Sequence, residues 1–228
     1  MRDVTLVIPA KFEADSLPYV LEELKRYPVK KIIVMPKSDI MTFKVIKKYN
    51  CKIIFQKNAG YGSALIQGIL SVKSKYFCIF NADGAFHPKY LKSMRKLLNK
   101  KNHFIFNTRY EKKAGSDDDT ILTYLGNQIF TFICNLLFKL NISDVLFTYV
   151  MGSTNAFKSL KLKCKDFAFC VELPIKANFM KYKMKCLPSY ERSRIGGKKK
   201  VNEFSDGFLI LMTIIRLFIF KKWKKKLL

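Results

Sequence analysis

Short apolar runs alternate with helical segments through the first half of the chain. The five predicted strands are Val4–Ile8, Ile32–Met35, Lys52–Gln56, Tyr76–Phe80 and Phe104–Asn107. Single predicted helices, near residues 15–27, 39–49, 58–72 and 88–98, separate them. Strands joined by single helices predict an α/β fold with a doubly wound, mainly parallel sheet.

The fourth strand ends in the polar turn Asn81-Ala82-Asp83-Gly84. Ligands of open α/β sheets bind at the carboxyl ends of the strands. Asp83 supplies a carboxylate there, and hard oxygen ligands suit Mg²⁺ or Mn²⁺ held together with a diphosphate. The turn therefore predicts a metal-nucleotide site. The alternative is an ordinary strand-to-helix turn that Asp83 caps.

Lysine and arginine number 43 against 17 acidic residues, a formal charge of +26. Such a charge indicates a polyanionic partner or a compositional preference for lysine. We expect no nucleic acid, because no helix-turn-helix, zinc-finger or RNP-like motif is visible. The six cysteines lack CxxC spacing, which indicates core residues in a reducing compartment. With no secretory signal peptide apparent, a cytoplasmic location is predicted.

The second half of the chain predicts two amphipathic helices. Thr120–Leu140 carries polar residues at every fourth position, so it is either a core helix or a helix in a membrane surface. Asp206–Phe220 precedes a lysine-rich tail with Trp223. This tail is typical of a peripheral membrane anchor, the alternative being a solvated tail. We expect a domain at 1–200, an anchor at 201–228 and no membrane-spanning helix, since no 18-residue apolar run exists.

Other polar motifs follow the remaining predicted strands. Pro9–Glu13 follows the first strand and Gly60–Ser63 the third, where backbone N–H groups can approach a phosphate. Arg109 follows the fifth. Arg192, Arg194 and the Gly196–Lys200 segment form a cationic loop suited to binding phosphates.

In this order, VIPAKFE, GYGSALIQGI, FNADGAFHP, TRYEKKAG, SDVLFTYVMG, ELPIKA and YERSRIGGKKK resemble the family 2 glycosyltransferases. The greatest resemblance is to polyprenyl-phosphate (dolichyl-phosphate) mannose or glucose synthases. It implies a GT-A fold, a nucleotide-sugar donor, a divalent metal and a lipid-phosphate acceptor at an anionic membrane surface. The sugar, the nucleotide and the oligomeric state stay open.

The resemblance also implies roles for individual residues. The donor and metal would lie against Pro9, Ala10, Glu13, Gly60, Tyr61, Gly62, Asn81, Ala82, Asp83, Arg194 and Lys199, with Asp83 and Asn81 as metal ligands. The implied catalytic set is Asp83, Arg109, Asp144 and Arg192. A lipid phosphate is already an anionic nucleophile, whereas a hydroxyl acceptor would need Asp144 or one of Asp117–Asp119 as base.

Among the departures from the family pattern, two concern the donor and metal site. The second strand is followed by Met35-Pro36-Lys37-Ser38, where the family commonly has a base-reading carboxylate. Asn81 replaces the first metal carboxylate, which lowers the charge available to a metal. These departures keep open a second interpretation, a catalytically weakened relative that binds a nucleotide sugar or a lipid without turnover.

Overall fold

The computed structural model describes residues 1–196 and 202–226. Nine strands are found in this part of the chain: β1 Val4–Pro9, β2 Lys30–Met35, β3 Lys52–Phe55, β4 Tyr76–Ile79, β5 Phe104–Thr108, β6 Gly115–Ser116, β7 Val150–Ser153, β8 Met184–Pro188 and β9 Tyr190–Glu191. Seven of them form a central sheet in the order β3-β2-β1-β4-β7-β5-β8, and β6 pairs with β9. The predicted doubly wound, mainly parallel α/β fold is confirmed.

Helices cover both faces of the sheet. They are α1 Leu17–Glu23 with a 3₁₀ turn at Leu24–Arg26, α2 Ile40–Ile46, α3 Tyr61–Leu70, α4 Tyr90–Leu97, α5 Ile121–Phe138, α6 Thr154–Ser159, α7 Phe169–Phe179 and α8 Glu203–Lys226. The side chain of Asp39 caps α2, and Thr120 forms a capping box with Thr123 at the start of α5.

Strand β7 is antiparallel to both of its neighbours, β4 and β5. Val150 at its start pairs with Phe106 near the end of β5. The chain therefore enters β7 at the same edge where the parallel strands end. This topology brings the loop that precedes β7, with Asp144 and Thr148, to the carboxyl edge of the sheet.

The inner strands β1, β4 and β5 are almost entirely buried and therefore lack polar alternation, whereas the edge strands β3 and β8 are partly exposed. Val7 and Phe77 pack into one apolar cluster, and Leu6 and Cys78 into the other. Ile210, Ile214 and Leu217 of α8 belong to the first cluster. The division into a domain at 1–200 and an anchor at 201–228 stays a prediction.

Helix α5 turns its polar stripe toward the protein. Asn127 and Thr131 are buried, whereas Ile121 is 82% exposed and Phe132 is 66% exposed. The interpretation of α5 as a core helix is therefore wrong for its apolar face. By length and composition α5 can also cross a membrane, as the one such helix found in the described residues. Polar residues recur along α5 and interrupt its apolar run, so the expectation of no membrane-spanning helix does not hold for its length and composition.

Candidate functional site

A cavity of about 410 Å³ lies over the carboxyl edge of the sheet. Loops after β1, β3, β4 and β5 line it together with parts of α5 and α8. Its polar lining residues include Lys11, Glu13, Gln56, Tyr61, Asn81, Asp83, Arg109, Asp118, Asp119, Thr123, Asn127, Thr148, Glu191 and Arg194. The volume falls within the range of small-ligand pockets.

The turn after β4 places Asn81, Ala82 and Asp83 in this lining. Asp83 Oδ1 accepts the Ala85 N–H at 3.0 Å, so the carboxylate also caps its own turn. Gly84 has a φ of 87°, and an added Cβ would lie 2.5 Å from Ile195 Cδ1. Burial raises the pKa of the Asp83 carboxyl, which the Ala85 N–H and Arg194 partly offset. Asp83 therefore both caps the strand-to-helix turn and lines the cavity, so the two interpretations of this turn are compatible.

Asp83 and Asn81 supply hard oxygen ligands suited to a divalent cation. Within residues 1–196 and 202–226, no group of three or more His, Cys, Asp and Glu side chains is arranged to hold a metal. Mg²⁺ is commonly bound through one or two carboxylates plus substrate phosphates. This pair fits that arrangement.

The glycine-rich loop lies between the cavity and the segment 164–167. Gly60 has a φ of 108°, and an added Cβ would lie 2.1 Å from the Lys165 carbonyl oxygen. Gly62 packs against the Cys164 carbonyl and is outside the lining, unlike its predicted position. Tyr61 lines the cavity, stacks on Phe167 and hydrogen-bonds through its hydroxyl to Thr148 at 2.8 Å. The loop therefore presents Gly60 and Tyr61 to the cavity.

Arg109 is buried at the inner end of the cavity. Its guanidinium donates to both oxygens of Asp144, at 2.8 and 3.1 Å, and to Glu191 at 3.1 Å and Asp119 at 3.3 Å. Burial opposes the charge, yet Asp144 and Glu191 hold the pKa of Arg109 well above its usual value. Asp144 itself is fully buried and lies outside the lining. Asp144 pairs with Arg109 and has no access to the cavity, so the structure does not support its predicted role as a direct base.

Glu191 reaches the cavity through the small parallel sheet of β6 and β9. Glu191 is opposite Ser116, whose hydroxyl donates to Glu191 Oε2 at 2.6 Å. Burial raises the pKa of the Glu191 carboxyl, and Arg109 acts against that shift. Sequence analysis missed Glu191 as a site residue, although it begins the cationic segment. Two-residue strands leave no pattern that would have revealed its position.

The predicted cationic loop divides between two places. Arg194 lines the cavity and pairs with Asp118 at 2.7 Å. Arg192 instead donates to both carboxylate oxygens of Glu23, each at 3.0 Å, and lies outside the lining. Its predicted catalytic position is therefore corrected, because Glu23 of α1 holds it away. Lys199 lies outside the described residues.

Charge in the cavity is opposite to that of the chain. Five lining carboxylates, those of Glu13, Asp83, Asp118, Asp119 and Glu191, face three lining cations, Lys11, Arg109 and Arg194. The formal excess of two negative charges contrasts with +26 for the whole chain. An acidic cavity favours a cation, or an anion that arrives with one.

A doubly wound sheet with a polar cavity at its carboxyl edge defines a class of α/β proteins that bind ligands at this edge. The sequence profile of glycosyl transferase family 2 matches residues 5–161, and the chain belongs to that family. An uncharacterised glycosyltransferase of Mycobacterium tuberculosis strain H37Rv is 29% identical over 82 residues. That match spans 36% of this chain and 37% of the relative, well under two thirds of its length.

Solved structures share the fold at low identity. Glucosyl-3-phosphoglycerate synthase from Mycobacterium tuberculosis, in complex with Mn²⁺, UDP and glucosyl-3-phosphoglycerate, has a TM-score of 0.75 at 13% identity. The match covers 95% of this chain and 80% of that one. Mannosyl-3-phosphoglycerate synthase from Rubrobacter xylanophilus has a TM-score of 0.67 at 16% identity, covering 99% of this chain and 75% of that one. These similarities agree with the GT-A-like architecture.

Proposed function

We propose that this protein transfers a sugar from a nucleoside-diphosphate sugar to a polyprenyl phosphate at the cytoplasmic surface of a membrane. Family membership supports the donor class. The observation that carries the choice of acceptor is the outward apolar surface of α5 and α8, because the same two helices line the cavity. The free cysteines agree with a reducing compartment.

The polar stripe of α5 is used up inside the protein. Asn127 donates to the Tyr110 hydroxyl at 2.7 Å, Thr131 accepts the Val145 N–H at 3.1 Å, and Asn135 bonds both backbone groups of Ile142. The opposite side of the helix carries apolar side chains that are more than half exposed: Ile121, Leu122, Leu125, Ile129, Phe132 and Leu136. A helix with this polarity favours contact with an apolar phase.

Helix α8 extends the same kind of surface. Phe204, Phe208, Leu209, Leu211, Met212, Ile215, Ile219 and Phe220 are exposed on it. The same helix ends in five lysines between residues 221 and 226. Each lysine near an anionic lipid surface contributes about 1 kcal/mol. Apolar surface and adjacent positive charge together favour an anionic bilayer as the partner.

The two exposed helices also reach the cavity. Thr123 and Asn127 of α5 and Ile210 of α8 are among its lining residues. A lipid phosphate held at the bilayer surface would therefore meet the donor beside the helices that hold the protein there. This arrangement supports a lipid acceptor over a freely diffusing one.

The donor would bind with its diphosphate near Asp83, Asn81 and Arg194. Structural neighbours have been solved with UDP and either Mn²⁺ or Mg²⁺. When bound, such a metal would neutralise charge on the leaving diphosphate. Arg194 would exchange Asp118 for a diphosphate oxygen, adding a charge-assisted hydrogen bond.

The proposed transfer needs no strong general base. A phosphate oxygen of the lipid forms the new bond to the sugar's anomeric carbon, and the bond from that carbon to the diphosphate breaks. The nucleoside diphosphate leaves with the electron pair. Because the acceptor is anionic at neutral pH, the chain has only to orient it and stabilise the leaving group. Buried Arg109 would stiffen the acceptor side of the cavity.

A soluble phosphorylated acceptor is the second candidate, since the structural neighbours named above are phosphoglycerate sugar synthases. Both acceptors carry a phosphate, but only the lipid acceptor reacts through a phosphate oxygen, and the two acceptors differ in the phase that holds them. The third interpretation, binding without turnover, draws on Asn81 in place of a carboxylate.

The test is transfer of radiolabel from UDP- and GDP-hexoses, with Mg²⁺ or Mn²⁺, to two acceptors in parallel. One is polyprenyl phosphate in anionic vesicles, with unphosphorylated polyprenol as its control, and the other is 3-phosphoglycerate in solution. We expect label in the organic phase only with the phosphorylated lipid. Label confined to an aqueous product would favour the soluble acceptor. Nucleotide binding without any product would favour the weakened relative.

Vesicle sedimentation tests the membrane surface separately. Phe132→Glu places a charge on the exposed face of α5, so we expect vesicle binding to fall by about tenfold or more. Met41→Glu is the matched control, because Met41 is 64% exposed on α2, the helix that connects β2 to β3 at one end of the sheet. Equal binding by both variants and the unmodified protein would contradict the proposed surface.

A further inference from the structure

The loop after β2 lacks the carboxylate that commonly reads the nucleotide base in this family. The first carboxylate after this strand, Asp39, already accepts two backbone hydrogen bonds. Asp39, which follows β2, is 2% exposed and lies outside the cavity lining. Its Oδ1 accepts the Thr42 N–H at 3.1 Å and its Oδ2 accepts the Phe12 N–H at 2.5 Å. Asp39 therefore caps α2 and holds the loop after β1, with both oxygens used. A residue other than Asp39 must therefore accept a hydrogen bond from the nucleotide base of the sugar donor.

Gln56 occupies the cavity wall one residue after β3. Its side-chain nitrogen donates to the carbonyls of Asn58 at 2.6 Å and Gly60 at 2.7 Å. Both partners are acceptors only, so the amide can take just one orientation. Within the described residues, no donor bonds to Gln56 Oε1. The chain thus holds a fixed amide with its oxygen available at the cavity wall.

This wall lies on the donor side of the cavity. Gln56 shares it with Pro9, Ala10, Val34 and Gly60, at the ends of β1, β2 and β3. The other side holds the buried carboxylates around Arg109 and the residues of α5 and α8. With the diphosphate near Asp83, the apolar side chains and backbone of this wall suit an uncharged planar base, and the charged Lys11 and Glu13 follow on the loop after β1.

We propose that Gln56 Oε1 selects the donor base by accepting a ring N–H, and this inference rests on the proposed function. Uracil presents such a donor at N3 and guanine at N1. Adenine and cytosine carry a lone pair at the corresponding ring nitrogen, which would face the amide oxygen without a proton between them. Gln56 therefore favours uridine or guanosine diphosphates and disfavours those of adenosine and cytidine.

The experiment measures Kd in the presence of Mg²⁺ for UDP, GDP, ADP, CDP and ring-N-methylated UDP and GDP. The unmodified chain should bind UDP or GDP about tenfold tighter than ADP and CDP. Gln56→Ala should weaken the preferred nucleotide about tenfold and its N-methylated analogue by less than about twofold. The analogue lacks the N–H, so it has no bond to lose.

Gln67→Ala is the matched control. Gln67 also braces this region, accepting the Lys57 N–H at 2.9 Å and donating to the Phe55 carbonyl at 2.9 Å, but it lies outside the lining. We expect the Gln67→Ala protein to keep the base preference of the unmodified chain. Equal weakening of parent and analogue by Gln56→Ala would mean a loop-bracing role and overturn the inference alone. Failure of the unmodified chain to bind any nucleoside diphosphate would overturn the proposed donor as well.

Discussion

Removal of the Arg109 guanidinium should destabilise the fold more than removal of any partly exposed cation near the cavity. The Arg109 side chain is 8% exposed, and its partners Asp144 and Glu191 are 0% and 9% exposed. Arg109→Met would leave these carboxylates, and Asp119, without the cation that compensates them. Breaking a buried pair in this way costs about 3–5 kcal/mol.

The magnitude translates into a melting temperature. For a domain of this size, each kcal/mol lowers Tm by about 2–4 °C, so we expect a loss of about 6–20 °C by circular dichroism. Arg194→Met is the control, since the Arg194 and Asp118 side chains are 25% and 24% exposed. A partly solvated pair contributes about 0–1 kcal/mol, so this variant should lose less than about 4 °C.

The Tm deficit of Arg109→Met should depend on pH, because the uncompensated carboxylates titrate. Burial already raises the pKa values of Asp144 and Glu191, and loss of Arg109 raises them further. The cost of burying their charges is present above the folded-state pKa and disappears as the pH falls through it. The Tm deficit of Arg109→Met should therefore shrink toward acid pH and shrink again when Asp144→Asn is added. A Tm within about 2 °C of the unmodified protein, or a deficit that grows in acid, would refute this reasoning.

Two further predictions concern the glycine-rich loop and Asp83. Gly60→Ala should cost about 1–3 kcal/mol in chemical denaturation, because its φ of 108° and the close Lys165 carbonyl leave no room for a Cβ. Gly126→Ala on α5, where nothing lies within 4 Å of the added Cβ, should instead stabilise by about 0.5–1 kcal/mol; equal effects would contradict the loop geometry. Because burial raises the pKa of Asp83, Mn²⁺-supported UDP or GDP binding should weaken as the pH falls from about 8 to about 5. Calorimetric Kd values that stay flat over that interval would argue against a carboxylate ligand at Asp83.

The parallel half of the fold could be predicted because its strands are continuous apolar runs. Tyr76–Ile79 is buried throughout, and such a run followed by a polar turn has few alternatives in an α/β chain. The same logic located Asn81 and Asp83, since the carboxyl edge of the sheet follows from strand direction alone.

The antiparallel insertion of β7 could not be predicted in the same way. Val150–Ser153 is four residues long, and its pairing with both β4 and β5 depends on contacts distant in sequence. The burial of Asp144 against Arg109 follows from this insertion. From the sequence alone, which does not reveal this insertion, Asp144 is predicted to be an accessible base.

The outward apolar face of α5 was half predicted. The fourfold spacing from Thr123 to Lys139 revealed a narrow polar stripe, but periodicity does not say which side of a helix meets the core. Buried partners decided it, with Tyr110 bonding Asn127 and the backbone of Val145 bonding Thr131. Likewise, only tertiary structure separates Arg194 at the cavity from Arg192 on Glu23.

Joint binding of a divalent metal by Asp83 and a nucleoside diphosphate is the central chemical claim. Electron paramagnetic resonance of free Mn²⁺ measures it directly, by titrating the protein with UDP or GDP present or absent. We expect the free-ion signal to fall when both protein and the preferred nucleotide are present, beyond the fall caused by nucleotide alone, and expect Asp83→Ala to abolish that additional loss. An Asp83→Ala protein that removes as much Mn²⁺ with nucleotide as the unmodified chain would contradict the claim.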